Sequence, residues 1–567
     1  MQIALCCINS KYVHSSLAPW YLAAAMEGVE TCEVSVVEGT INQSVEEIAQ
    51  KILHDPPEVA AFCCYIWNID MVHQVIRCLK AQRPGLTVVL GGPEVTFRPA
   101  EILSQWPEVS YVLCGEGEQS FPALMQALAE KRAPADIPGM ASRDERGAVL
   151  LTPPQPLNTT PPDPYSHTYM QRLKGRIAYL ETSRGCPFSC SFCLSGVKEK
   201  VRFFEMERAK ENLVRLANSG AKTIKFIDRT FNCHPDRAYE LLSFILNQRG
   251  RAFPEDVCFH FEVGADLFQP RFLALLATAP PGLIQIEAGL QSFCEKTLEA
   301  VDRKTDLAVL TENLRQCIRP QNVHVHIDLI AGLPYEDYDT FAASFNSAFA
   351  LRPHMLQLGF LKLLHGSKLR RQAETRAEFG YRFSELAPYE VQQTRWLSPG
   401  DLAKLHEVED ALERLYNSGR FLQTIDYLLQ ATGWSPFALF EAFGAYAAAR
   451  GTAGVSLDLY TEWIWRFFAG QEGVQAERLR DCLVIDRLSC DNTGRIPPLL
   501  RREDKRLKHA KAEARQKRPG RGKLGVALLY RPFRIAVFDY TKRDAMTGRY
   551  AVEVFCDEEI ERMGRYT

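Results

Sequence analysis

Between Ile177 and Gly196 an apolar, strand-like segment runs into Glu181-Thr-Ser-Arg-Gly-Cys186-Pro-Phe-Ser-Cys190-Ser-Phe-Cys193-Leu-Ser-Gly196, and no other stretch restricts the fold so strongly. A C-x3-C-x2-C run at a strand end can set three thiolates around one iron-sulfur cube, leaving the fourth iron without a protein ligand. A closed structural zinc site wants four ligands from Cys and His. After Cys193 the next Cys or His is Cys233, so the local donor set stops at three. Three thiolates and an open position suit a cluster that must coordinate something external.

Chain-wide features narrow the class. With 567 residues the chain exceeds one ordinary core, so several domains are expected. Its 67 basic and 69 acidic residues leave a net charge of -2, which gives no global pull toward nucleic acid or membranes. Seventeen cysteines, an odd number, in a chain without a signal-like N-terminus do not form a disulfide framework, and the expected compartment is the reducing cytoplasm. Cys6, Cys7, Cys63, Cys64 and Cys114 fall in strand-like runs and read as small core residues. No apolar run is long enough for a spanning helix, so no membrane partner is expected.

Residues 1–130 alternate short apolar strands with helices, the pattern of a doubly wound, flavodoxin- or Rossmann-like parallel sheet. Ligands of such sheets bind at strand carboxyl ends. Those ends carry Asn9-Ser10-Lys11, Tyr65-Ile66-Trp67, Gly91-Gly92-Pro93-Glu94 and Gly115-Glu116-Gly117-Glu118. Glycines there let backbone approach a bulky ligand, and the polar side chains can bond its periphery. Residues 131–170, rich in proline, read as an extended linker. From 171 to 372 the alternation resumes with six strands, near 177–182, 223–228, 257–262, 283–289, 323–330 and 355–362. Six βα units suit a partial (β/α)6 barrel with its chemistry at the strand C-termini.

The cysteine spacing, with Phe192 just before the third cysteine, resembles that of the radical S-adenosylmethionine (SAM) superfamily. The resemblance implies that Cys186, Cys190 and Cys193 ligate a [4Fe-4S] cluster whose open iron binds SAM, with Phe192 close by. The Gly-Gly-Pro and Gly-Glu-Gly-Glu loops resemble those of the cobalamin-binding domain that precedes many radical SAM barrels. That likeness implies cobalamin contacts from Asn9, Ser10, Tyr65, Trp67, Gly91, Gly92, Glu94, Gly115, Gly117 and Glu118. The Asp-x-His-x-x-Gly motif of cobalamin mutases is absent; His14 lies outside it, so base-off binding without a histidine ligand is implied.

Phe226-Ile-Asp228-Arg-Thr230-Phe231-Asn232 resembles the F-x-D-x-x-F variant of cobalamin-associated members and implies Asp228 as acceptor for the SAM ammonium. Likewise Glu262, then Gln291 and Ser292 of Gly289-Leu-Gln-Ser292, then Arg303, and Asp328 ahead of Gly332-Leu-Pro334 are implied to approach SAM. The resemblance covers about residues 1–370.

Residues 373–567 read as a mainly helical extension, resembling a C-terminal region of uncharacterised function, with a closing hairpin of 534–539 and 550–555. Within it, 501–523 holds eleven Lys or Arg against three acids. Such a run is a solvated segment or a contact for RNA phosphates.

Together the parts imply a cobalamin-dependent radical SAM methyltransferase acting on an unactivated carbon of a small molecule, peptide or nucleoside. Its partner would be a reductant such as flavodoxin or ferredoxin. The alternatives are a cobalamin-dependent rearrangement or cyclisation enzyme, and a tRNA-modifying enzyme that uses the basic segment.

Overall fold

The first strand, β1 (Gln2–Asn9), is buried along nearly its whole length. A strand without an alternating polar face must be covered on both sides, which is the environment of a parallel sheet between helices. β1 pairs in parallel with β2 (Glu33–Thr40) on one side and β3 (Val59–Cys63) on the other. β4 (Thr87–Gly91) and β5 (Tyr111–Leu113) extend the sheet, giving the parallel order β2-β1-β3-β4-β5. Ala4, Cys6 and Ile8 of β1 enter one core layer, and Ile3 and Leu5 enter the other. Helices on both faces make the domain doubly wound, and the chain reverses direction across the sheet between β1 and β3. Such a reversal opens a crevice at the strand ends.

The structure corrects the linker reading of 131–170. β6 (Met140–Arg143) pairs antiparallel with β5, and β7 (Val149–Leu151) pairs antiparallel with β6. The cause is local: Asp144 turns the chain by accepting from the Arg146 and Ala148 amides, and Met140 and Ala141 are buried.

The computed structural model describes residues 1–134, 136–156, 159–196, 200–502, 512, 523–529 and 534–556. The basic segment 501–523 lies outside the described residues except at 501, 502, 512 and 523. Two compact units emerge, neither contiguous in sequence: unit 1 is 1–275, 301–304 and 361–392, and unit 2 is 276–300, 305–360 and 393–567.

Unit 1 adds β8 (Ile177–Leu180), β9 (Ser183–Arg184), β10 (Arg202–Phe203), β11 (Thr223–Phe226) and β12 (Cys258–Val263) to the first sheet. β11 lies between β8 and β12, parallel to both, while β9 and β10 form a short antiparallel ladder. Unit 2 holds β13 (Ile284–Gln291), β14 (Val323–Ala331) and β15 (Met355–Phe360), again parallel. β8 and β11 to β15 are the six strands expected of the barrel. β16 (Arg382–Phe383) and β17 (Val391–Gln393) pair in the segment after them.

The C-terminal part of unit 2 is helical, from Pro399–Leu412 to Ala476–Cys490. Its sheet has three strands rather than the expected two: β18 (Leu524–Leu529) joins β19 (Arg534–Arg543), which pairs with β20 (Tyr550–Cys556), all antiparallel. Among the described residues no helix is long and apolar enough to cross a membrane.

Candidate functional site

At the β1/β3 crevice Asn68 ties the two strand ends, its amide donating to the Ile8 and Cys63 carbonyls at 3.0 Å each. Asn9 is buried beside them. Trp67 stacks on Tyr65, with ring centroids 4.4 Å apart and planes 5° from parallel, while remaining 46% exposed. This is an aromatic platform open to a ligand at the switch point. Ser10 lies in the same loop as Lys11 to Ser15, whose far end bonds to the barrel: Ser15 Oγ donates to the Ile177 carbonyl at 2.7 Å, and His14 Nδ1 meets Tyr179 Oη at 2.7 Å. Burial lowers the His14 pKa.

The other two loops have internal partners. Gly92, at φ +108°, lies so close to the Cys64 backbone that a Cβ would stand 2.5 Å from its carbonyl oxygen. Its side-chain-free backbone is therefore demanded by the sheet itself, whereas a Cβ on Gly91 would meet the Leu113 carbonyl oxygen at an ordinary 3.7 Å. Glu94 is buried, accepts from Arg98 at 2.7 Å and bonds to Tyr389 Oη. Glu118 and Glu116, which flank Gly117 after Gly115, face Arg184, at 2.8 and 3.6 Å. Arg202 of β10 also pairs with Glu116. Arg184 forms a two-pronged bond with Glu181, both arms at 2.9 Å. Burial works against its charge, and the three carboxylates overcome that and raise its pKa. The acidic loop of the first domain thus grips the residue two before Cys186.

Asp228, just past β11, is buried and accepts from the Thr182 amide (2.7 Å), the Thr182 hydroxyl (2.6 Å) and the Ser183 amide (3.1 Å). Burial pushes its carboxyl up to about 6 against these bonds. The expected SAM acceptor therefore holds the base of the cysteine loop. Glu262, on β12, pairs with Lys225 at 3.3 Å.

Cys186, Cys190 and Cys193 are free thiols on one loop. Burial raises the Cys190 pKa, Arg303 opposes, and Cys193 and Cys186 are close enough to raise it further. Each sulfur has a protein neighbour: Thr230 Oγ1 at 3.5 Å from Cys186, Arg303 Nη1 donating to Cys190 at 3.6 Å, and the Ser195 amide donating to Cys193 at 3.4 Å. Phe192 is half-buried between the last two cysteines. Three unbridged thiols on one loop, within this hydrogen-bonding shell, fit a cubic cluster with one open iron.

In unit 2, Gln291 ends β13 at a register shift with φ +74°, a left-handed conformation uncommon for a residue with a side chain. Its Oε1 is buried and has no hydrogen-bond partner among the described residues. An orphaned acceptor on a strained strand end fits a ligand-facing position. Ser292, beside it, is fully buried and donates to Glu336 Oε1 at 2.6 Å, and Ser344 donates to the same oxygen at 2.9 Å. Burial pushes Glu336 up to about 7 against these two bonds. Asp328 pairs with His326 at 2.7 Å, and Glu287 lies across the ladder from His326. Ser292 thus has a protein partner in place of the expected ligand, whereas Asp328 Oδ1, though close to His326, has no hydrogen-bond partner among the described residues.

Sequence reasoning missed Arg184, Thr230 and Glu336 as site-building residues. Arg184 and Thr230 lie inside the quoted motifs and Glu336 two residues beyond Gly332-Leu-Pro334, but each has a partner 44 to 68 residues away that nothing local signals.

Comparison with known proteins matches three stretches of the chain. Residues 3–125 match the B12 binding domain, 180–348 the Radical SAM superfamily, and 377–524 a protein family of unknown function, DUF4080. The chain is 30% identical over 326 residues to the 2-(S-pantetheinyl)-carbapenam-3-carboxylate methyltransferase of Streptantibioticus cattleyicolor, covering 55% of this chain and 47% of that one. It is 30% identical over 339 residues to the cobalamin-dependent radical SAM methyltransferase TokK of Streptomyces tokunonensis, covering 56% and 49%. The chain therefore spans about half the length of these curated relatives. In fold it is similar to the radical SAM methyltransferase TsrM from Kitasatospora setae, solved with cobalamin and a [4Fe-4S] cluster, with TM-score 0.55 and 20% identity over 69% of this chain and 79% of that one. The cysteine loop thus lies in the stretch that matches the Radical SAM superfamily, the doubly wound sheet in the stretch that matches the B12 binding domain, and a stretch matched to a family of unknown function follows them.

Proposed function

We propose that the protein is a cobalamin-dependent radical SAM methyltransferase acting on an unactivated sp3 carbon. The observation that carries the reading is the grip of the first domain's acidic loop, Glu116 and Glu118, on Arg184 at the start of the cysteine loop. It ties the domain matched to B12 binding to the loop of the three cysteines within one compact unit. When bound, the cluster supplies the electron that cleaves SAM to a hydrogen-abstracting radical, and methylcobalamin supplies the methyl group.

The chain's residues hold and orient. Cys186, Cys190 and Cys193 hold the cluster, and Asp228 fixes the strand end from which their loop departs. Gln291 offers a buried carbonyl oxygen to a donor on SAM. Tyr65 and Trp67 give cobalamin an apolar platform at the β1/β3 crevice, with Asn9 and Ser10 at its edge. Glu336 keeps the ends of β13 and β14 in place by accepting from Ser292 and Ser344. A small flavoprotein or ferredoxin is the reductant, and the free cysteines suit the cytoplasm.

Anaerobic reconstitution with iron, sulfide and hydroxocobalamin tests the proposal, with metal analysis of wild type beside Cys186→Ala. About four irons per chain, lost in the variant, and stoichiometric cobalt are expected. Turnover should yield S-adenosylhomocysteine and 5'-deoxyadenosine together. Iron without cobalt would exclude the methylcobalamin reading, and deoxyadenosine without S-adenosylhomocysteine would replace methyl transfer by rearrangement.

A further inference from the structure

The three cysteine sulfurs receive different hydrogen bonds, and the difference concerns electron transfer. At Cys193 the donor is a backbone amide. At Cys186 the neighbour is the Thr230 hydroxyl, at 3.5 Å with either atom able to donate, and its single proton is also given to the Arg229 carbonyl at 2.8 Å. At Cys190, the most buried of the three, it is the Arg303 guanidinium. Among the described residues this is the one charged donor shown on a sulfur of the loop.

Arg303 is held where it can do this. The residue after Cys190, Ser191, donates its amide to the Val301 carbonyl at 2.8 Å and accepts at its own carbonyl from the Leu369 amide at 2.7 Å. Asp302, in a left-handed conformation, pairs with Lys368 at 2.7 Å. Both polar groups of the Ser191 backbone are therefore clamped, one by the segment that carries Arg303 and the other by the helix Lys368–Thr375. The spacing between the Cys190 sulfur and the guanidinium is built into the backbone.

On the reading that these cysteines ligate a cluster, we propose that Arg303 is a positioning residue directed at the Cys190 sulfur, and that its charged N–H···S bond raises the cluster's reduction potential. Reduction adds one negative charge to the cluster. A cation bonded to a ligand sulfur stabilises the reduced form more than the oxidised form, and hydrogen bonds to sulfur are one of the means by which proteins set cluster potentials. A neutral hydroxyl with a competing acceptor, as at Cys186, does this less. The resemblance to known radical SAM proteins implies instead that Arg303 meets the ribose or carboxylate of SAM, so the two assignments separate when SAM is withheld.

The experiment is a spectroscopically monitored redox titration of the full-length, iron- and sulfide-reconstituted protein without SAM, comparing wild type, Arg303→Gln, Arg303→Lys and Thr230→Val at matched iron content. A more negative potential is expected in Arg303→Gln, a smaller shift in the same direction in Arg303→Lys, and a shift in Thr230→Val smaller than that of Arg303→Gln. If Arg303→Gln does not retain iron, Arg303→Lys carries the test, because it keeps the charge while losing the planar fork. Potentials equal to wild type in the iron-loaded Arg303 variants would overturn the assignment, as would weakened SAM binding with an unchanged SAM-free potential. Wild-type protein that takes up no iron would overturn the cluster reading instead.

Discussion

Glu336, at zero exposure, has one carboxylate oxygen held by two buried serine hydroxyls and the other without a hydrogen-bond partner among the described residues. Because burial raises its pKa from 4.5 to about 7, the folded state binds this proton more tightly than the unfolded chain does. The stabilisation is full below the unfolded value near 4.5 and is lost as pH rises through about 7. The shift corresponds to about 3 kcal/mol. Denaturant unfolding between pH 4 and 8 should show this fall in the wild type, and Glu336→Gln, which mimics the protonated acid, should flatten it and be the more stable form above pH 7. An unchanged slope would show that Glu336 is ionised when folded. At this scale the sequence was legible where the chemistry is local. The three cysteines lie within eight consecutive positions and declare themselves, whereas Asp228 and Ser292 have the residue types expected of SAM ligands but bond to Thr182, Ser183 and Glu336. A carboxylate at a strand end looks the same in sequence whether it faces a ligand or an amide.

Among elements, the ladder β9/β10 and the acidic loop ahead of helix Gly117–Ala129 are joined through Arg184, surrounded by Glu116, Glu118 and Glu181, and through Arg202, which pairs with Glu116. Arg184→Met would leave Glu118 and Glu181 without their cation, and Glu116 with Arg202 alone. Breaking such a partly buried cluster from one side costs about 3–5 kcal/mol. A lowered unfolding midpoint is expected, together with faster loss of iron to a chelator. The double variant Glu116→Gln/Glu118→Gln in the Arg184→Met background should recover much of the stability, since the stranded charges are then removed. Elements that bury a continuous apolar run, such as β1 and β3, were legible in sequence, because such a run admits few other folds. The strand pair β6 and β7 was hidden among prolines, and its pairing depends on a turn centred on Asp144. Helix Ala476–Cys490 was also unread. It is buried on most sides yet carries Arg480, Asp481, Asp486 and Arg487, neutralised by partners as distant as Arg549, so it shows no apolar stripe.

For the whole molecule, the relevant fact is that the cysteine loop, the β1/β3 crevice and Arg303 all belong to unit 1, although that unit is assembled from three separate stretches of chain. A ligand that binds only the folded form stabilises what it touches. Loading with iron and sulfide should therefore increase hydrogen-exchange protection in 1–275, 301–304 and 361–392, with little change in the helices of 399–490. Equal protection throughout would mean that the two units open as one. The domain order was legible at this scale, since strand and helix alternation repeats on either side of a proline-rich stretch. The discontinuity was not. Residues 361–392 return to unit 1 through contacts such as Tyr389 to Glu94 and Arg98, 295 and 291 positions apart.

The clasp of Glu116 and Glu118 on Arg184 also bears on how such chains can be recombined. The two families matched at 3–125 and 180–348 look like separable modules, but the first contributes the counter-charges for a cation in the second. A chimera that takes a B12-binding domain from a relative without acidic residues in the loop after its fifth strand would inherit Arg184 with Glu181 as its one remaining carboxylate partner among the described residues, and with less compensation for its burial. The heritable unit is therefore the pair of loops together, and the boundary suited to exchange lies outside both of them.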